Sequence, residues 1–224
     1  MSIFRKLRKA QIGTFGNSVE SRLNLFGCYV HFYFFDHGWI RAIYDNYFVV
    51  DEKLHRSSHP SYSTLKKAAA LGITQVISLR HPGKISYQLL EKIWTDRLGL
   101  RLVSYSMSAG DISDPSNYLH IIDQINNNRG KTLIHCKSGA DRSGLVSALY
   151  LLNKSVPQIQ KSRQMLNWKF GHFGLGKKAI NRKFLNQVIS ILSSNDEKTF
   201  QQALSMASEN IDHFIQKQGQ LKKE

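Results

Sequence analysis

The chain has 224 residues, 42% of them hydrophobic, and carries 31 Lys and Arg against 16 Asp and Glu, a formal net charge of +15. That length suits one domain with extensions, and the apolar share is enough for a real core; so basic a chain favours polyanions such as nucleic acid, an anionic membrane or a highly phosphorylated ligand, although charge speaks to association rather than to fold. Only two cysteines, Cys28 and Cys136, are present, so a structural disulfide is not expected and a reducing, cytoplasmic setting fits; no Cys/His spacing suits zinc, and neither metal nor cofactor is expected.

Residues 1–22 are basic and polar. Arg5, Lys6, Arg8 and Lys9 precede no long apolar run, so no secretory signal is read there. Leu23 to Phe35 is the most apolar stretch, but Asn24 and His31 interrupt it and it is shorter than the ~20 apolar residues that span a bilayer. It reads as a strand or helix packed on the domain. The alternative is interfacial: Phe26, Tyr29, Phe32, Tyr33, Phe34, Phe35 and Trp39 beside a basic leader suit an anionic membrane surface and a peripheral location.

Tyr47 to Val50 predicts a first strand and Ser63 to Leu71 a helix stopped by Gly72. Thr74 to Leu79 is an apolar run of strand length. Tyr87 to Leu98 predicts a second helix ended by Gly99, and Arg101 to Ser106 alternates like a strand. Ser108 to Ser116 is a polar loop, Asn117 to Asn127 an amphipathic helix, and Thr132 to His135 a strand. Arg142 to Asn153, Val156 to Leu166 and Lys183 to Leu192 predict three more helices. The tail opens on a capping box, Ser194-x-x-Glu197. Phe200, Leu204, Ala207, Ile211 and Phe214 then recur at helical spacing. Packing of this helix on the parent domain is favoured over a coiled-coil dimer, and nothing in the sequence sets an oligomeric state. Alternating strands and helices imply an α/β fold with a central, mostly parallel sheet flanked by helices. The division expected is an extension at 1–45, a catalytic domain at 46–192 and an amphipathic C-terminal helix at 193–224.

The chemistry concentrates in His135-Cys136-Lys137-Ser138-Gly139-Ala140-Asp141-Arg142-Ser143-Gly144, between a predicted strand and a predicted helix. Small residues at Ser138, Gly139 and Ala140 let the chain curl, and Gly tolerates positive φ. Backbone N–H groups from Lys137 to Arg142 then converge at a helix N-terminus into an anion nest. The same field favours a thiolate at Cys136, since such surroundings lower a free thiol from pKa ~8.5 to roughly 3.5–7.5. Arg142 adds a planar two-pronged donor for phosphate oxygens. Attack by Cys136 on phosphorus would give a phosphocysteine that water hydrolyses.

These residues resemble the signature of the cysteine-dependent protein tyrosine phosphatase superfamily, and most closely its compact dual-specificity branch, including the bacterial tyrosine/serine phosphatases. Leu54-His55-Arg56-Ser57-Ser58-His59-Pro60-Ser61 is similar to that branch's YRSxQPS segment, and Gly72 to Arg80 to its GIxxVInLR strand. The resemblance covers roughly residues 46–190 and implies a dual-specificity phosphatase-like fold. It implies Cys136 as nucleophile, Arg142 as phosphate ligand, His135 as the residue that orders the loop, and Ser143 as the hydroxyl that assists breakdown of the phosphocysteine. A general acid is implied on the loop after an upstream strand, where Asp111 and Asp114 both lie. Asp111 is favoured because Ala109-Gly110 can flex, whereas Asp114-Pro115 reads as a helix cap; the WPD tripeptide of the larger tyrosine phosphatases is absent.

Lys137, Ser138, Gly139, Ala140, Asp141 and His135 form the expected substrate-binding set. Asp141 is unusual beside a phosphate and is expected to turn outward to Lys137 or another cation. His172, in the aromatic and glycine-rich segment 168–174, is a core or rim histidine or else positions water. Arg56 and Arg80 either contact phosphate or tie strands together, and the structural role is favoured. The expected substrate is a phosphoprotein bearing phosphotyrosine, with phosphoserine or phosphothreonine also in reach, or another phosphorylated molecule. A phosphoinositide phosphatase is the alternative that the basic charge and Lys137 keep open. A phospho-binding module and a rhodanese-type sulfurtransferase are rivals from other classes. No nucleic-acid motif is present.

Overall fold

A computed structural model describes residues 17–83, 85–194 and 198–220. The basic leader to residue 16 and Glu197 of the capping box lie outside the described residues. The chain divides into two compact units, one formed by the residues up to Ser106 with Arg129–Ser138, the other by Met107–Asn128 with everything from Gly139 onward.

The first unit holds a five-stranded sheet of order β1-β2-β5-β3-β4. Its strands are β1 (Phe48–Val49), β2 (Leu54–Ser57), β3 (Ile73–Ser78), β4 (Arg101–Ser104) and β5 (Lys131–His135). β1 pairs antiparallel with β2 and every other pair is parallel. This is the mostly parallel α/β sheet the alternating pattern implies. β2, β3 and β5 are buried almost throughout, as strands covered on both faces are, although β2 is polar at His55, Arg56 and Ser57. Gly130 leads into β5 where an added Cβ would lie 2.3 Å from Thr74 Oγ1, a close approach only glycine allows.

The apolar stretch from Leu23 is helical and packs on this unit. α1 (Arg22–Val30) starts at Ser21, whose hydroxyl accepts from Asn24 N–H at 3.1 Å, and continues into a π-turn over His31–Phe35. Cys28 and Phe32 join the buried cluster of Leu65, Ala68, Val76, Leu90, Trp94 and Leu133. α2 (Gly38–Ile43) follows His37, which sits at φ 61. α3 (Tyr62–Ala70), capped by Ser61, and α4 (Ser86–Arg97) complete the flank.

The second unit is helical. α5 (Pro115–Asn127) carries Asp114 as its cap and Pro at its first turn, where a missing N–H costs nothing. α6 (Arg142–Leu152) is buried from Ser143 to Leu152. α7 covers Ile159–Gln164 and begins later than Val156 because Pro157 disfavours helical backbone in the residue before it. α8 (Ala179–Leu192) and α9 (Phe200–Gln220) pack on each other, and α9 also meets α5. Leu204, Ala207 and Ile211 are fully buried, so the tail helix lies on its own unit. Replacing Leu204 by Ala should cost about 3 kcal/mol in urea denaturation, as core truncations do; Met206→Ala, at an exposed position, should cost under about 1 kcal/mol.

Candidate active site

β5 lies between β2 and β3, with Ser57 and Ser78 registered on His135. The residue beyond the strand end, Cys136, therefore falls at the carboxyl edge of the sheet, where α/β folds leave room for ligands. Leu79 N–H donates to the His135 carbonyl at 2.9 Å, extending the ladder past β3. His59 N–H donates to the Lys137 carbonyl at 3.2 Å, and Asn46 Nδ2 to the Ser138 carbonyl at 3.0 Å. In a planar trans peptide the next N–H points opposite to its carbonyl. Tying these two carbonyls thus turns the following N–H groups the other way, as an anion nest requires. Cys136 itself is 1% exposed.

Behind the nucleophile lies a buried polar layer. His135 Nε2 stands 2.5 Å from Glu91 Oε1, both side chains being buried. The His59 ring meets His135 edge-on at 4.9 Å. Burial, with Arg80 and His135 adding to it, pushes His59 well below its usual pKa and keeps it neutral. His59, Glu91 and His135 each offer one ligand atom within 4.8 Å of the others, the one place among the described residues where a metal ion could find three donors.

In front, Asp36 gathers three cations. Arg80 spans its two oxygens at 2.9 Å each, Arg41 Nη2 lies at 2.7 Å and Lys137 Nζ at 3.2 Å. Burial alone would raise this carboxyl, but the hydrogen bonds and charge of Arg80, with Arg41 and Lys137, hold it down at about 2. Arg80 also lies over the Tyr87 ring, so it ties structure together rather than standing open to a ligand.

The rest of the motif belongs to the second unit. Gly139 takes φ 74, as the small-residue curl requires. Asp141 does not turn outward, and its partner is not Lys137. It is 4% exposed and binds His172 Nδ1 and Lys178 Nζ, both at 2.9 Å, while Lys137 is drawn to Asp36. Burial raises Asp141, yet the His172 and Lys178 bonds outweigh it and the carboxyl stays low. His172 is fully buried, a core histidine that ties the 168–174 segment to the loop. Arg142 opens α6, and its Nη1 donates to the Met107 carbonyl at 3.1 Å. Ser143 is fully buried beside it.

The Met107–Asp114 loop is anchored at its base, since Asn181 Nδ2 also holds the Ala109 carbonyl at 3.1 Å. Asp111 is exposed and accepts only from Ser108 Oγ among the bonds described, at 2.8 Å. Asp114 instead caps α5: its Oδ1 accepts from Ser116 N–H at 2.8 Å and from the Ser116 hydroxyl, and these bonds lower its carboxyl. Sequence reasoning passed over Asp36, His59 and Glu91. A signal existed for Glu91, an acid four residues after Tyr87 and three before Trp94 on the apolar face of α4.

The sequence model of PTP-SAK, described as a Swiss Army Knife protein with a DSP-PTPase phosphatase domain, matches residues 46–199. No curated protein matches the chain. Among solved structures the chain is similar to P. aeruginosa TpbA in complex with pTyr, with 19% identity over 75% of this chain and 92% of that one at a TM-score of 0.52. It is likewise similar to Tk-PTP in its active form, with 18% identity over 67% of this chain and 98% of that one, also at 0.52. At such identities the likeness speaks to the fold.

Asp36 precedes the matched span, and its stability contribution carries a definite sign. Its folded pKa lies below the ordinary 3.8, so its contribution is present above about pH 4 and lost as pH falls toward 2. At ~1.4 kcal/mol per tenfold in proton affinity this is worth roughly 2 kcal/mol. Asp36→Asn should lower stability at pH 7 by about that much or more, since it strands buried guanidinium groups. Urea titrations from pH 7 to pH 2 should show the gap to wild type closing only below pH 4.

Proposed function

The chain belongs to the PTP-SAK family of DSP-PTPase phosphatases and is a cysteine-based phosphoric monoester hydrolase; from that premise we propose that Cys136 is its nucleophile and that the peptides from Lys137 to Arg142, with the Arg142 guanidinium, cradle the phosphate. The observation that carries the assignment is a buried Cys136 at the end of a central parallel strand, with the carbonyls of the next two residues tied back.

In the proposed reaction the Cys136 thiolate forms a bond to phosphorus as the ester P–O bond breaks. Asp111 protonates the departing oxygen, and Arg142 and the loop amides stabilise the charge that spreads over the phosphoryl oxygens. Water, giving its proton to the Asp111 carboxylate, then breaks the P–S bond, and the Ser143 hydroxyl stabilises the released thiolate. No metal is required. The occupation of Asp114 as a helix cap supports Asp111 as the acid. His135 is a positioning residue, acting through its contact with the Cys136 carbonyl at 3.3 Å.

Phosphotyrosine in a protein is the proposed substrate, with phosphoserine and phosphothreonine also accepted; the TpbA complex, which contains pTyr, supports the first. The proposed organisation keeps 46–192 as the catalytic domain, preceded by an extension and followed by the α9 segment. Two buried cysteines that form no disulfide support a cytoplasmic location. None of the described helices is long and apolar enough to cross a membrane. A peripheral contact with an anionic membrane is supported by Leu23, Phe26, Phe34, Trp39 and Ile43, each more than half exposed.

Cys136→Ser should abolish phosphate release from a phosphotyrosine peptide; retained release would remove Cys136 as nucleophile. Asp111→Asn should lower kcat on that peptide by about 10²-fold and spare p-nitrophenyl phosphate, whose leaving group needs little help. Asp114→Asn should stay within about twofold, and the reverse ranking would reassign the acid. For the membrane contact, Phe34→Ser with Ile43→Ser should weaken sedimentation with anionic vesicles by about tenfold; unchanged sedimentation would overturn it.

A further inference from the structure

From Arg142 to Asn195 the sequence contains no Asp or Glu, while basic residues recur through it. Inside that stretch Trp168, Phe173 and Leu175 are each more than two-thirds exposed. The backbone holds them there. Asn167 Oδ1 accepts from Lys169 N–H at 2.9 Å, and the Asn167 carbonyl accepts from His172 N–H at 3.2 Å. Gly171 and Gly174 take φ 74 and 63, so the chain turns where other residues would be strained. Large apolar side chains fixed in water close together mark a contact surface.

The same segment borders both loops of its own unit that serve the proposed chemistry. A Cβ on Gly171 would lie 3.8 Å from Ala140 Cβ in the phosphate loop, and His172 and Lys178 hold Asp141. On the other loop, Lys177 Cβ lies 3.1 Å from where a Cβ on Gly110 would be, one residue before Asp111. Lys178 is taken by Asp141, whereas no carboxylate among the described residues pairs with the exposed Lys177.

We propose that residues 168–178 form a docking rim for the substrate polypeptide, in which Trp168, Phe173 and Leu175 receive an apolar side chain near the phosphotyrosine and Lys177 receives an acidic one. Resting on the phosphoprotein substrate proposed above, this names the kind of sequence that surrounds the phosphorylated residue. A surface with cations and no acids attracts an acidic segment and repels a basic one. Exposed aromatic side chains supply the contact area on which protein interfaces rely. Proximity to both loops favours the chain that bears the phosphate over a membrane as the occupant.

Three phosphotyrosine peptides test the rim, one flanked by Glu and Leu, one by Lys and Leu, and one by Gly and Ser. Wild type should use the Glu/Leu peptide with a kcat/KM about tenfold above that of the Gly/Ser peptide. Lys177→Glu should reverse the order of the Glu/Leu and Lys/Leu peptides. Phe173→Ser with Leu175→Ser should bring the Glu/Leu peptide down toward the Gly/Ser level. Both variants change exposed positions and should leave p-nitrophenyl phosphate, which has no flanking chain, within about twofold. Equal use of all three peptides by wild type, or losses shared equally with p-nitrophenyl phosphate, would overturn the rim and leave phosphotyrosine hydrolysis standing. Calorimetry on Cys136→Ser, alone and combined with Lys177→Glu, reads binding without turnover. A Lys177-dependent preference for the Glu/Leu peptide upholds the rim even if wild type hydrolyses no peptide, in which case phosphotyrosine hydrolysis falls instead. If Lys177→Glu weakens sedimentation with anionic vesicles and leaves the peptide ranking unchanged, the occupant is a membrane and the polypeptide assignment is wrong.

Discussion

Everything at the candidate site depends on the pairing of β5 with β2 on one edge and β3 on the other. A central parallel strand has both faces buried and both edges hydrogen-bonded, so its register cannot slide without breaking two ladders at once. A slip of one residue would also turn every side chain to the opposite face. Leu133 and Ile134, fully buried, hold that register by packing. The position of Cys136 then follows from where the strand runs out, and Leu79 and His59 bind the backbone on either side of it. The stiffest element of the first unit thus presents its most reactive group.

Counter-charges organise what surrounds the strand end. In the first unit Asp36 meets Lys137, Arg41 and Arg80, and Glu91 meets His135 from behind. In the second, Asp141 is fixed by His172 and Lys178. Each carboxylate is buried and each would be costly alone, since a buried charge survives only when paired. A basic chain thereby places its few buried acids beside its loop residues, which keeps them from acting as free negative charges where an anion must bind.

Much of this was legible in the sequence because local rules agreed. Gly72 stops the helix expected from Ser63, apolar runs of strand length became β3 and β5, and Asp114-Pro115 proved a helix cap. The α/β class and the family followed from the loop and its flanks. What escaped was long-range pairing. Asp36 looked like the end of an aromatic run, yet its partners lie at Arg80 and Lys137. Asp141 was expected to turn outward to Lys137 or another cation; the fold instead buries it against His172 and Lys178, 31 and 37 residues further on. Composition and periodicity report which residues face a core; they do not report which charge meets which across it. Cys136, Lys137 and Ser138 fall in one unit and Gly139 to Ser143, with Asp111, in the other, a division that no local pattern in the loop announces.

The Asp36 cluster changes what a domain limit means for this protein. Similarity to the family begins at residue 46, and a boundary drawn there looks natural. It would nevertheless cut an ion network in two, leaving Arg80 and Lys137 inside the excised fragment and their carboxylate outside it. Recombination or trimming at that point would separate a lock from its key. The extension and the domain are joined by charge and would have to be moved as one piece, even though only one of them carries the family's signature.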